Sequence, residues 1–222
     1  MHVTSEWRKM FPGGEESAVE RSNVLQVITD PRLARERLLA SIAAAAENGA
    51  TWVQVRDHAA SGRDLFELTR AVVAICRPRG VRVAVNDRVD VALAAEADGV
   101  QLGRRSLPVE VVRRIAPTLR IGVSVHGLDD ARAAEAAGAD WLTFGHVFAT
   151  ASHPDEPPRG LAALAEVCGA TRIPVIAIGG VDAARVPEIL ATGARGIAVI
   201  SAILSAEDPA KATRELVRAL GC

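Results

Sequence analysis

The chain has 222 residues, with 26 Lys and Arg against 27 Asp and Glu and a net charge of −1. That balance, without a long run of one sign, argues against a broad nucleic-acid footprint, and aromatic residues at 3% with no tyrosine argue against a base-stacking surface. Cys76, Cys168 and Cys222 are odd in number and widely spaced with no CxxC, which argues against a disulfide framework or a zinc site.

Residues 1–22 (MHVTSEWRKMFPGGEESAVERS) are polar and broken by Pro and Gly, and predict a loosely held N-terminal extension ahead of one domain over 23–222. After it, four stretches repeat one pattern: NGATWVQV, AEADGVQL, AGADWLTF and TGARGIAV. Each reads as the end of an Ala-rich helix, a small turn and an apolar strand. The full set of strands expected is 24–28, 52–56, 83–86, 99–102, 121–125, 141–144, 175–178 and 196–200. Between them lie stretches such as RERLLASIAAAAEN and DLFELTRAVVAICRP, with apolar spacing near 3.6. Alternating short apolar strands and helices imply a parallel sheet covered by helices. Eight units close most economically into a single (β/α)₈ TIM barrel, for which a length of about 200–250 residues is ordinary. An open doubly wound sheet is the alternative, but GxGxxG is absent. No run of about 18 apolar residues and no basic-then-apolar leader occurs, so a cytoplasmic chain without a membrane partner is expected.

In such barrels the active site lies at the C-terminal ends of the strands. The residues expected there are Thr29-Asp30, Arg56-Asp57-His58, Asn86-Asp87, Arg104-Arg105-Ser106, His126, His146, Gly179-Gly180 and Ser201. They are polar, titratable or glycine, whereas the turns preceding strands are mostly Gly, Ala and Asp; the asymmetry indicates an enzyme. IPVIAIGGV and GIAVISAI suit a phosphate grip, in which Gly179 and Gly180 admit a close approach to backbone N–H groups and Ile200 and Ser201 open the next helix. His126, in GVSVHG, suits a proton shuttle, or else a histidine bonded to a loop carbonyl. His146, between Phe144 and Phe148, reads equally well as a structural histidine. VQVRD and VNDR supply Gln54, Arg56, Asn86 and Asp87, the arginine able to fork onto an anion and Asn86 to add a neutral donor. Asp87 alone makes a poor magnesium site, and a structural pairing with Arg56 or Arg88 is the expectation.

As an ordered set, VITD, VQVRD, VNDRVDVALA, DGVQLG, IGVSVH, GADWLTFGHVF, IPVIAIGGV and GIAVISAI resemble the thiamin-phosphate synthase superfamily over roughly residues 24–220. In its synthase branch, which joins a pyrimidine diphosphate to a thiazole phosphate with magnesium at the diphosphate, a lysine, an acid and a second lysine stand where this chain has His58, Ser106 and His153. GVQLGRRSLPV, GVSVH and FGHVF are more similar to the TenI-type thiazole tautomerases. That likeness implies a cofactor-free, metal-free isomerase acting on an unaromatised thiazole phosphate carboxylate. In it His126 is catalytic; Gly179, Gly180, Ile200 and Ser201 hold the phosphate; and Arg56, Asn86, Arg104, Ser124, Thr150 and Ser152 contact the substrate. It also implies a homodimer. The alternatives are a magnesium-dependent thiamin-phosphate synthase and a non-catalytic thiazole-phosphate-binding regulator.

Overall fold

A computed structural model of the chain describes residues 23–150 and 155–221. The extension expected over 1–22 lies outside the described residues, as do Ser152, His153 and Cys222. Eight parallel strands close on themselves in sequence order: β1 (Val24–Ile28), β2 (Trp52–Val55), β3 (Arg82–Asn86), β4 (Gly99–Leu102), β5 (Arg120–Val125), β6 (Trp141–Gly145), β7 (Val175–Ile178) and β8 (Gly196–Val199). The helices that cover them are α1 (Arg35–Glu47), α2 (Gly62–Cys76), α3 (Val89–Ala94), α4 (Val109–Ile115), α5 (Leu128–Ala136), α6 (Gly160–Ala170), α7 (Val186–Ala191), α8 (Ser201–Leu204) and α9 (Pro209–Leu220). β1 pairs with β8, Leu25 opposite Ile197, which closes the barrel.

The expected strand ends hold to within one residue, and the exceptions have local causes. β2 stops at Val55 because the Arg56 N–H leaves the ladder for Thr29 Oγ1 (2.8 Å), whose hydroxyl donates to the Arg56 carbonyl (3.0 Å). β3 and β5 start one residue earlier because Arg82 and Arg120 donate backbone bonds to Thr51 and Asp98. Helix starts are capped where the sequence supplies a cap. The Ser61 hydroxyl accepts from the Asp64 N–H ahead of α2, and Asp208 accepts from the Lys211 N–H ahead of α9, where Pro209 opens the helix.

Period-two alternation sorts each strand between two cores. Val53 and Val55 of β2 face the helices in the large outer cluster, while Trp52 and Gln54 face the barrel interior. The interior itself is graded. Its floor is aromatic, with Trp52 and Trp141 5.2 Å apart at the starts of their strands. Trp141 fits because β4 and β5 present Gly99 and Gly122 beside it; a Cβ on Gly122 would run into the indole. Above the floor Gln26, Gln54, Gln101 and Thr143 make one side of the interior polar, while Ile176 and Ala198 keep the β7–β8 side apolar, and the polar side leads to the candidate site.

Candidate active site at the barrel mouth

The polar interior is a hydrogen-bonded chain that climbs from strand to strand. Gln26 Nε2 donates to Gln54 Oε1 (3.2 Å), Gln54 Nε2 to Asn86 Oδ1 (2.8 Å), and Asn86 Nδ2 to Asp87 Oδ2 (2.7 Å). A second branch runs from Thr143 Oγ1 to Gln101 Oε1 (3.3 Å) and from Gln101 Nε2 to Ser124 Oγ (3.0 Å). Buried amides are costly unless both ends are matched; Gln54 and Gln101 have both ends bonded, which sets the atom each presents, whereas Gln26 Oε1 at the foot of the chain has no partner. Asn86, at the end of β3, and Ser124, near the end of β5, are each held by one of these two branches.

Asp87 is the centre of the upper cluster. Its backbone is left-handed at φ 61, a conformation aspartate tolerates better than most side chains. Its carboxylate accepts from Asn86 on one oxygen and from the Ser106 hydroxyl on the other, with His58 Nδ1 3.7 Å away. The expected pairing with a neighbouring arginine is not what holds it: Arg88 forks onto Asp90 at 2.9 and 2.7 Å, holding that carboxyl below its usual range. Arg88 and Asp90 are two apart at the start of α3, and their fork turns the arginine away from Asp87.

The GRRS stretch has a plain structural logic. Ser106 accepts from the Gly103 N–H (2.7 Å) and donates its own N–H back to Gly103 (3.1 Å), a tight turn that aims the hydroxyl at Asp87. One hydroxyl proton and two lone pairs suffice for both contacts. Arg104 and Arg105, at the tip of that turn, are exposed. Across the mouth, Asp30 is buried, and Arg32 forks onto it at 2.9 and 2.7 Å. The guanidinium holds its carboxyl below the ordinary value of 3.8 against the opposing pull of burial.

His126 is half-buried, with Nδ1 2.9 Å from the Gly145 carbonyl. A carbonyl can only accept, so Nδ1 is the donor in this bond. His146 is buried and places Nε2 3.1 Å from the Glu156 carbonyl, as a structural histidine would.

The glycine loop follows β7. Gly179 and Gly180 have φ 99 and φ 64, and β6 presses on them: a Cβ on Gly179 would strike His146, and one on Gly180 would lie 2.8 Å from Phe148 Cβ. The pairing of β6 and β7 continues past the strands, with Val147 N–H to Ile178 O (2.8 Å) and Phe148 N–H to Gly179 O (3.0 Å). On the adjacent strand, Ile200 precedes the single turn of α8, and the first-turn amides of such a turn have no helical acceptor. Thr150 is half-buried at the end of the β6 extension. Sequence reasoning overlooked Gln101 and Thr143 here. Both carry a signal, a polar residue at the inward parity of a buried strand.

Fold and site together define an enzyme-type (β/α)₈ barrel with one braced carboxylate, Asp87, over β3 and β4 and a glycine loop over β7. The chain belongs to the thiamine monophosphate synthase family, whose model matches residues 25–203. It is 45% identical over 194 residues to the thiamine-phosphate synthase of Pyrococcus horikoshii, covering 87% of this chain and 93% of that one. To the thiamine-phosphate synthase of Roseiflexus sp. it is 44% identical over 209 residues, covering 93% and 86%. A solved thiamine phosphate pyrophosphorylase from Pyrococcus furiosus superposes with a TM-score of 0.83 at 45% identity, covering 89% and 95%.

These relatives correct the expectation of a TenI-type tautomerase. Proteins named as synthases match nearly the whole chain, whereas the likeness to the tautomerases covers a few short phrases and the positions of His58, Ser106 and His153. Ser106 stands where the synthase pattern has an acid. It braces Asp87, so its presence does not remove the carboxylate from the mouth. The isomerase reading goes with it.

Proposed function

We propose that the chain is a thiamine-phosphate synthase, a transferase that joins a pyrimidine diphosphate to a thiazole phosphate. The thiazole nitrogen attacks the pyrimidine methylene carbon, the carbon–oxygen bond to the diphosphate breaks, and pyrophosphate leaves with the electron pair. The observation that carries this reading is the 45% identity with a named synthase over 93% of that protein's length. The barrel mouth is compatible with it.

The reaction class implies magnesium, and the donor set can be tested for it. Among the described residues no group of three or more His, Cys, Asp or Glu forms a metal cage. Magnesium seldom needs one, being held by one or two carboxylates together with substrate phosphates. Asp87 offers that carboxylate, with the Ser106 hydroxyl as a second hard oxygen beside it, so the residues fit. Bound there with a diphosphate, the ion would neutralise charge on the leaving group.

The chain's own residues divide the remaining work. Asn86, fixed through Gln54, holds the Asp87 carboxylate in register. Arg56, half-buried at the end of β2, and His58 supply positive or donor groups for the diphosphate, with Arg104 on the rim. Ser124, oriented by Gln101, and Thr150 line the substrate space. Gly179 and Gly180, with the amides at Ile200 and Ser201, receive the phosphate of the thiazole partner.

Growth complementation tests the proposal. Expressed in a bacterium lacking its own thiamine-phosphate synthase, the chain restores growth without thiamine, and Asp87→Ala does not. Absence of growth with the wild-type protein present and folded overturns the reading.

A further inference from the structure

Arg185 lies outside the mouth cluster and has no part in the reading above, yet its guanidinium joins the two loops that enclose the glycine turn. It sits just before α7, with its N–H on Asp182 Oδ1 at 3.1 Å and Nε 3.7 Å from Asp182 Oδ2. Its Nη1 donates to the Gly180 carbonyl. The same guanidinium lies over the Phe148 ring, 4.6 Å from the centroid. Phe148 belongs to the β6 extension, and its backbone N–H already donates to Gly179 (3.0 Å) while its Cβ abuts Gly180. One planar cation therefore holds Gly180 by its carbonyl and Phe148 by its face, a combination that suits arginine and not lysine.

Orienting a peptide's carbonyl orients the N–H on the other side of the same plane. The peptide whose oxygen Arg185 holds, Gly180–Val181, is fixed in direction, and two left-handed glycines beside it have few other restraints. We propose that Arg185 is a positioning residue: by clamping the Gly180 carbonyl against the Phe148 ring it sets the Val181 N–H, at the end of the glycine loop, toward a phosphate group and ties that loop to the β6 extension. The proposal rests on the assignment of this loop as the phosphate grip. Its consequence is that phosphate recognition depends on a contact the phosphate does not make.

The test is steady-state kinetics with two probes, thiazole phosphate and the corresponding thiazole alcohol without its phosphate, on Arg185→Ala, Arg185→Lys, Phe148→Leu, the double variant Arg185→Ala/Phe148→Leu, and Gly180→Ala. Arg185→Ala is expected to raise KM for thiazole phosphate about tenfold, with kcat changed less than about twofold and the alcohol's kinetics unaltered. Arg185→Lys recovers part of the loss, because the bond to Gly180 survives and the stacking does not. Phe148→Leu reproduces a share of it, and the double variant is no worse than Arg185→Ala alone, as expected of one coupled unit. Additive losses in the double variant contradict the clamp and make Arg185 a direct phosphate ligand. If Gly180→Ala raises KM for thiazole phosphate and Arg185→Ala does not, this inference fails while the phosphate assignment stands. If Gly180→Ala leaves both probes unchanged, the assignment itself fails and takes the inference with it. Thermal unfolding accompanies every variant, and should Arg185→Ala not fold, Phe148→Leu decides the matter.

Discussion

Replacement of Asp87 separates its charge from its backbone role. Asparagine accepts the left-handed conformation at φ 61 and keeps one oxygen for the Ser106 hydroxyl, but its amide opposes the Asn86 amide. At a half-exposed position, where water replaces the lost partner, Asp87→Asn costs about 1 kcal/mol. Alanine loses both acceptors and adds a left-handed penalty of about 1–2 kcal/mol, so Asp87→Ala costs about 2–4 kcal/mol. Asp87→Gly, which removes the penalty, falls between them. Activity follows a different order. All three remove the carboxylate that would face magnesium and diphosphate, and all three lower turnover by about 10²–10³, the range seen when one fixed electrostatic contact is deleted. Ser106→Ala keeps the carboxylate and costs about tenfold or less. Urea unfolding and initial rates at saturating magnesium supply both orders. Asp87→Asn within about threefold of wild-type turnover, or an alanine variant as stable as the asparagine one, refutes the reasoning.

The barrel floor, the buried Cys76 thiol and the Asp30 fork give three further expectations. Gly122→Ala forces a methyl into the Trp141 indole and to 2.5 Å from Gln101 Oε1, and lowers stability by about 1–3 kcal/mol, read as a fall in Tm of several degrees. Cys76 is fully buried, and burial pushes its thiol up to about 12, so at pH 8 it resists alkylation until denaturant is added; mass spectrometry of native and unfolded samples decides. Asp30, held below 3.8 by Arg32, contributes stability that is present above that pH and lost as the pH falls beneath it. Asp30→Asn therefore flattens the decline of Tm between about pH 5 and pH 2, and an unchanged acid limb contradicts the fork as a source of stability.

The barrel was legible because each strand is short, apolar and bounded by a helix end with a small turn, and because eight such units leave few closures. The placement of polar residues at strand ends followed from that topology alone. What the sequence concealed was pairing. VNDR places Asp87 beside Arg88, and nothing in the spacing reveals that Arg88 forks onto Asp90 while Asp87 reaches across to Ser106, 19 residues away. GRRS presents two cations in sequence and an exposed turn in space, its effective group being the serine hydroxyl. Branch identity was misread for the same reason. A serine stands where the synthase pattern has an acid, and spacing does not show that its hydroxyl reaches the Asp87 carboxylate. Arg185 could not be found from spacing, because its partners Phe148 and Gly180 are brought together only by the β6–β7 pairing.

The most direct measurement incubates the purified protein with pyrimidine diphosphate, thiazole phosphate and magnesium, and follows thiamine phosphate and pyrophosphate by mass spectrometry. The account predicts both products in equal amounts, only when both substrates are present, with formation stopped by EDTA and restored by added magnesium. No thiamine phosphate above the protein-free control would contradict it.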